Sequence, residues 1–215
     1  RDTMSRKSIV LRSRGFVETY SAVQEGPIYR LRNVLPVPIV LLIALWSQPA
    51  AESLWRGGIC LFLGELIRWW SAGHRPGLES LLKQGRNITK GPYGLVRRPD
   101  AWGTLLVGLG IALMSEWWPA YLMLAGLSIA RLRFVHPVEE AKLRQEYGEA
   151  YDAYCQAVPE YFPSAPHFLR WYRETRRRPR EVEERFGTRE ALLAEGSMLM
   201  VLVGVVAAMI VQWLF

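Results

Sequence analysis

"AWGTLLVGLGIALMSEWWPAYLMLAGLSIARLRFV", residues 101–135, decides the fold class of this chain. Two apolar runs, Ala101 to Met114 and Trp117 to Val135, are separated only by "SEWWP". That connection reads as a tight helical hairpin with its tryptophans at a membrane interface. A bilayer core of roughly 30 Å takes about 20 apolar helical residues, and fewer where the ends carry snorkelling or interfacial side chains.

Working outward, Val34 to Trp46 and Leu54 to Trp70 are two further, shorter candidates, the second with Trp69 and Trp70 as an interfacial belt. Ser197 to Phe215 is the cleanest of all. The expectation is an all-α, polytopic integral membrane protein with about five transmembrane helices. Residues 1–215 then form a single membrane domain, with a charged cytoplasmic connection over 164–196 and a final transmembrane helix over 197–215.

Composition agrees. Half of the 215 residues are hydrophobic and nine are tryptophan. The formal charge of +7 is compatible with nucleic acid or with anionic headgroups, and the apolar runs decide for membrane lipids as partners and against nucleic acid. Cys60 and Cys155 lack metal-ligand spacing and lie in unlike surroundings, so they read as free thiols. No removable signal peptide is expected after Arg1 and Met4.

Lysine and arginine crowd residues 1–32, 68–98 and 131–189, whereas "SQPAAES" and "SEWWP" contain none. The positive-inside rule therefore places the amino terminus in the cytoplasm and, after five spans, Phe215 outside. The charge-dense "RETRRRPREVEERFGTRE", 173–190, reads as a solvated helix, with a headgroup-bound one as the alternative.

Several residues are placed to carry chemistry. Glu65 and Arg68 are three apart on one helical face near the end of the second run. A charge at mid-membrane costs roughly 2.5–3.5 kcal/mol on insertion scales, which makes this pair a functional candidate; a snorkelling arginine with a neutralising glutamate is the alternative. In "GPYGLVRRPDAWG", 91–103, the turn at Gly91-Pro92 and the restriction that Pro99 places on Arg98 predict a helix beginning near Pro99 or Asp100. Arg97 and Arg98 then flank a helix N-terminus, a corner suited to carboxylate or phosphate; two arginines that only enforce topology ahead of a transmembrane helix are the alternative.

After the hairpin, "RLRFVHPVEEAKLRQEYGEAYDAYCQAVPEYFP", 131–163, brings His136, Glu139 and Glu140, and then a helix with Leu143, Tyr147, Tyr151 and Tyr154 on a packed face. One imidazole with two carboxylates lacks the partners of a metal site, so no metal is expected.

Taken together, these two motifs around a short-looped hairpin resemble the isoprenylcysteine carboxyl methyltransferase and phospholipid methyltransferase group of integral membrane enzymes. The family pattern is roughly G-P-Y-x-x-x-R-H-P-x-Y-x-G, hairpin, then E-E-x-x-L, F-G-x-x-Y-x-x-Y and V-P-x-x-x-P. The match covers about residues 88–163, through Gly91, Pro92, Tyr93, Arg97, Pro99 and Gly103, then Glu139, Glu140, Leu143, Gly148, Tyr151, Tyr154, Val158, Pro159 and Pro163.

The resemblance implies methyl transfer from S-adenosylmethionine to a lipophilic or amphiphilic substrate entering from the bilayer. It also implies a cytoplasm-facing cofactor-binding core over 91–163, with its pocket between 91–103 and 136–154. Within that core, Glu139 or Glu140 is expected on the cofactor's ammonium or ribose and Arg98 on its carboxylate. Tyr93 and Tyr151 are expected as walls, and Arg97, Pro99, Gly103 and His136 complete the set. Glu65 and Arg68 are expected to set substrate polarity.

The family's histidine is Arg98 here and its following tyrosine is Ala101. Arginine holds a carboxylate but cannot serve as a general base near neutral pH. The carboxyl-terminal pattern, "YCQAVP" included, also looks like the membrane sterol reductases, which implies NADPH as the alternative cofactor. A non-enzymatic membrane protein that kept the fold is the third reading.

Overall fold

The computed structural model describes residues 29, 31–32, 34–86, 91–177 and 186–214. The expectations for the basic stretch 1–28, for the start of the first motif before Gly91, for residues 178–185 of the charged segment and for Phe215 fall outside the described residues. Among those described, every regular element is helical, as the all-α reading requires.

Helix α1 (Pro36–Leu45) starts on a proline, whose missing N–H costs nothing in the first turn. Helix α2 (Ala51–Lys83) is capped by Ser53, whose Oγ accepts the Ala50 N–H at 2.9 Å. At 33 residues it is about 50 Å long and continues well past Trp70, where the sequence predicts the second candidate span to end. The extension has its own core: Leu78, Leu81 and Leu82 are buried with Tyr93, Tyr151, Tyr154 and Val158.

A short helix α3 (Gly91–Leu95) precedes α4 (Pro99–Ser115), which begins on Pro99 as the sequence predicts. Glu116, in the left-handed region at φ 49°, ends α4, and α5 (Pro119–Ala130) returns at once, so the expected hairpin forms. Helix α5 runs through a π turn (Arg131–Val135) into α6 (His136–Tyr147). Pro137 brings no N–H to the ladder and its ring crowds the preceding turn, which the wider π geometry accommodates. Gly148, at φ 53° and ψ −127°, then turns the chain into α7 (Glu149–Ala157), in a conformation that suits a residue without Cβ. Helices α8 (Ala165–Arg177) and α9 (Thr188–Leu214) complete the described chain.

The last helix begins at Thr188, not at Ser197, so the segment 164–196 contains α8 and the first turns of α9 and is not a plain connection. By length and composition, α9 is the one helix among the described residues able to cross a membrane alone. Helices α1 and α4 are apolar but shorter, α5 has 12 residues before its arginines, and α2 carries Glu65 and Arg68. Length and composition of the helices therefore do not reproduce the count of five spans.

What joins the helices is small-residue packing. Gly57 and Gly64 of α2 face Gly110 and Gly103 of α4, each pair two turns apart, so the two backbones touch. A Cβ built on Gly64 would lie 2.7 Å from the Gly103 carbonyl oxygen, and one on Gly110 2.7 Å from that of Gly57. A second core joins α1, α4, α5 and α9 through Ile43, Val107, Ile111, Leu202 and Met209. Large apolar side chains are turned outward: Trp55, Phe62, Trp118, Leu122, Met200 and Val203 are each more than 60 % exposed. A glycine-lined contact between two helices together with large apolar side chains on the outside is the arrangement that helices adopt when their solvent is hydrocarbon.

Candidate functional site

The two motifs meet across the end of the hairpin. The backbone N–H groups of Arg97 and Arg98 donate to the carbonyls of Pro159 and Glu160 at 2.9 and 3.1 Å, which fixes "VRRP" against the "VPEYF" loop. From there the two guanidinium groups diverge. Arg98 donates to Glu139 Oε2 at 2.7 Å and to the His136 carbonyl at 2.9 Å. Arg97 donates to Glu140 Oε1 at 2.9 Å and to Cys155 Sγ at 3.0 Å. Glu140 also holds Arg144 at 3.1 Å.

The four charged residues expected to receive a cofactor thus hold one another in two ion pairs, Arg97 with Glu140 and Arg98 with Glu139. Burial alone would lower the Arg98 pKa, but Glu139 and Asp100 outweigh it and raise it, so Arg98 is a permanent cation. The Cys155 thiol is pushed up by burial against the opposing pull of Arg97, and remains a thiol.

Around this corner, Tyr93 is buried, with its hydroxyl 3.0 Å from Ser71 Oγ. Burial, then Asp100, raise its pKa to about 12. Tyr154 donates to the Tyr93 carbonyl at 2.8 Å, and Tyr151 is buried beside it. Tyr93 and Tyr151 therefore stand in the tyrosine–leucine core behind the corner. Pro99 is buried as the first residue of α4, and Gly103 serves the helix contact, since a Cβ there would meet the Arg68 side chain and the Gly64 carbonyl.

His136 is 2 % exposed. Its Nδ1 lies 2.9 Å from Tyr161 Oη, and its Nε2 is buried without a partner among the described residues. Burial, then the positive field of Arg98, lower its pKa to about 4, with Arg131 acting in the same direction against Asp100 and Glu139. The unfolded chain takes up a proton below about 6.5 that the folded chain refuses until about 4, so stability falls as pH drops through that interval. Denaturation in detergent across this range is expected to show that loss, and His136→Gln to flatten it.

Two cavities adjoin the corner. The smaller, about 230 Å³, is walled by Trp102, Leu105, Leu132, His136, Tyr161 and Phe162. The larger, about 380 Å³, runs among α1, α4, α5 and α9 and is mostly apolar, with Arg32, Arg68, Thr104, Ser128, Arg131 and Ser197 as polar wall groups. Thr104, Ser128 and Arg131 border both.

Glu65 and Arg68 do form the expected pair, at 3.4 Å. Arg68 also donates to Thr104 Oγ1 at 2.9 Å and pairs with Glu195 of α9. Glu195 is a partner that sequence reasoning missed. It falls in the stretch expected to be a cytoplasmic connection, although the apolar residues on both sides of it in "EALLAEGSMLMV" already carry the α9 pattern. Trp102 and Tyr161 were missed too; the Trp102 indole N–H donates to the Tyr161 carbonyl at 2.8 Å and secures the cavity wall.

A helical protein with large apolar side chains turned outward, and with two charged motifs locked together beside apolar cavities, is the class that fold and site define. Residues 53–150 match the family model of phospholipid methyltransferases. That stretch runs from α2 into α7 and includes the glycine seam, Arg68, both motif arginines, His136, Glu139 and Glu140. Over that stretch the chain is similar to phospholipid methyltransferases, in agreement with the resemblance carried by the motifs. No curated protein and no solved structure matches the chain.

Proposed function

We propose that the chain is a multi-pass integral membrane methyltransferase, its amino terminus cytoplasmic, that moves a methyl group from S-adenosylmethionine to a lipophilic or amphiphilic acceptor arriving from the bilayer. The observation that carries this reading is the direct contact of the two motifs, Arg97 with Glu140 and Arg98 with Glu139, beside apolar cavities within the family-matched stretch.

The donor set fits the cofactor. Its amino-acid end bears one ammonium and one carboxylate, the same two charges that Glu139 and Arg98 now satisfy in each other. With its side chain 26 % exposed, Glu139 is accessible for that exchange. Glu139 or Glu140 would take the ammonium or ribose and Arg98 the carboxylate, as charge-assisted hydrogen bonds. When bound, the cofactor supplies an electrophilic methyl group on a sulfonium sulfur.

The chain's own residues supply position and dryness. Trp102 and Phe162, edge to face with ring centroids 5.0 Å apart, present aromatic surface to the smaller cavity, and such surface favours a cation. The apolar walls exclude water, and the larger cavity offers an acceptor chain a path alongside Arg68 and Thr104. An in-line displacement needs little more than approach geometry and desolvation.

Calorimetry on the purified full chain tests this. S-adenosylmethionine is expected to bind, and Glu140→Gln to weaken it about tenfold or more, the scale of one lost charge-assisted hydrogen bond, with helical circular dichroism unchanged. Binding of NADPH alone would overturn the methyltransferase reading in favour of hydride transfer. Binding of neither by a folded sample would leave a non-enzymatic membrane protein.

A further inference from the structure

Helix α8 lies outside the family-matched stretch, and its two sides differ sharply. His167 and Trp171 attach it to the first motif: His167 Nε2 lies 3.0 Å from the Gly94 carbonyl oxygen, and the Trp171 indole N–H donates to the Gly91 carbonyl at 3.0 Å. The adjoining face carries Phe168, Leu169 and Tyr172, which are 44, 50 and 41 % exposed. Phe168 and Tyr172 stack with centroids 6.4 Å apart, and the Arg176 guanidinium lies 4.5 Å from the centre of the Tyr172 ring. By helical spacing Arg176 and Arg173 border this face on the side away from His167 and Trp171, with Arg170 beyond them, against one carboxylate, Glu174. Among the described residues no ion pair engages those three arginines.

A ledge of two aromatic rings and a leucine, rimmed by guanidinium groups and fixed to the body by its opposite edge, matches the headgroup layer of an anionic leaflet. Aromatic rings and leucine enter the acyl boundary, and arginines meet phosphate oxygens. A second protein surface would have to bring its own carboxylates to so basic a rim, whereas anionic lipid is continuous along the membrane in which the chain sits. We propose that α8 is an interfacial helix that docks on anionic lipid headgroups and thereby holds the Gly91–Leu95 turn, and with it the motif arginines, at a fixed depth. This rests on the chain being membrane-embedded but not on the identity of its cofactor.

The test uses the full chain reconstituted in vesicles of phosphatidylcholine alone or mixed with phosphatidylglycerol, with a fluorophore on Leu169→Cys in a background with Cys60 and Cys155 replaced by serine. Brominated lipid is the quencher. Quenching is expected to be about twofold or more stronger in the anionic vesicles, and to fall to the neutral-lipid level at high salt or in the triple variant Arg170→Glu, Arg173→Glu, Arg176→Glu.

A label on Val203→Cys of α9 is expected to be quenched equally in all of these. If Val203 is quenched and Leu169 is not, or if Leu169 is indifferent to lipid charge, the docking proposal is overturned while membrane embedding stands. An unquenched label at Val203 overturns both.

Discussion

Arg98→Ala is expected to cost about 3 kcal/mol of stability, the lower end of the range for removing one partner from a buried ion pair. Two groups lose their donor at once: the Glu139 carboxylate and the His136 carbonyl. The lower end applies because Glu139 retains some solvent. Arg98→Lys keeps the charge but cannot span both acceptors with a planar fork, so it should fall between wild type and alanine. Thermal unfolding in detergent, monitored by circular dichroism, orders the three. Equal stability of Arg98→Ala and wild type would mean that the pair contributes nothing to the fold and is held only as a binding element.

Gly103→Ala should be about as damaging, near 3 kcal/mol, the upper end for an added methyl group in a packed interior. The reason is the surroundings that the methyl would meet: the Gly64 carbonyl oxygen at 2.7 Å and the Arg68 backbone N at 3.0 Å. Both are main-chain atoms, which no rotamer change can move, so α2 and α4 must part along their whole seam. Gly126→Ala on α5 is the matched control, since nothing lies within 4 Å of a Cβ there, and it should be neutral or slightly stabilising. If both variants behave alike, the glycine seam is not what holds the two helices together.

The two substitutions fall on contacts that the sequence did not disclose. The hairpin was legible because a proline, two tryptophans and flanking apolar runs determine it locally, and the start of α4 was legible because Pro99 restricts its neighbour. The motifs were legible by order and spacing. That Arg97 and Arg98 would be satisfied by Glu140 and Glu139 was not, because it depends on how α6 leaves the hairpin, and so on the π turn. Likewise Arg68 and Glu195 are 127 positions apart, and only the packing of α9 against α2 brings them together. The glycine seam did leave a trace in the sequence, glycines at intervals of seven on two successive runs, which a search for small-residue faces would have found.

The π turn at Arg131–Val135 has a meaning beyond its local geometry. In an uninterrupted α-helix, residues five apart point roughly 140° away from each other, so Arg131 and His136 would face different neighbours. The wider turn shifts the phase of the helix by close to one residue, and both side chains come to border the same cavity. The chain thereby behaves as if a residue had been inserted where the apolar run gives way to the charged motif: the segment before it stays in register with the helices it packs against, while the segment after it is re-aimed as a unit. A single irregular turn thus lets one continuous rod serve two clients whose angular demands conflict, the helix bundle above and the polar corner below.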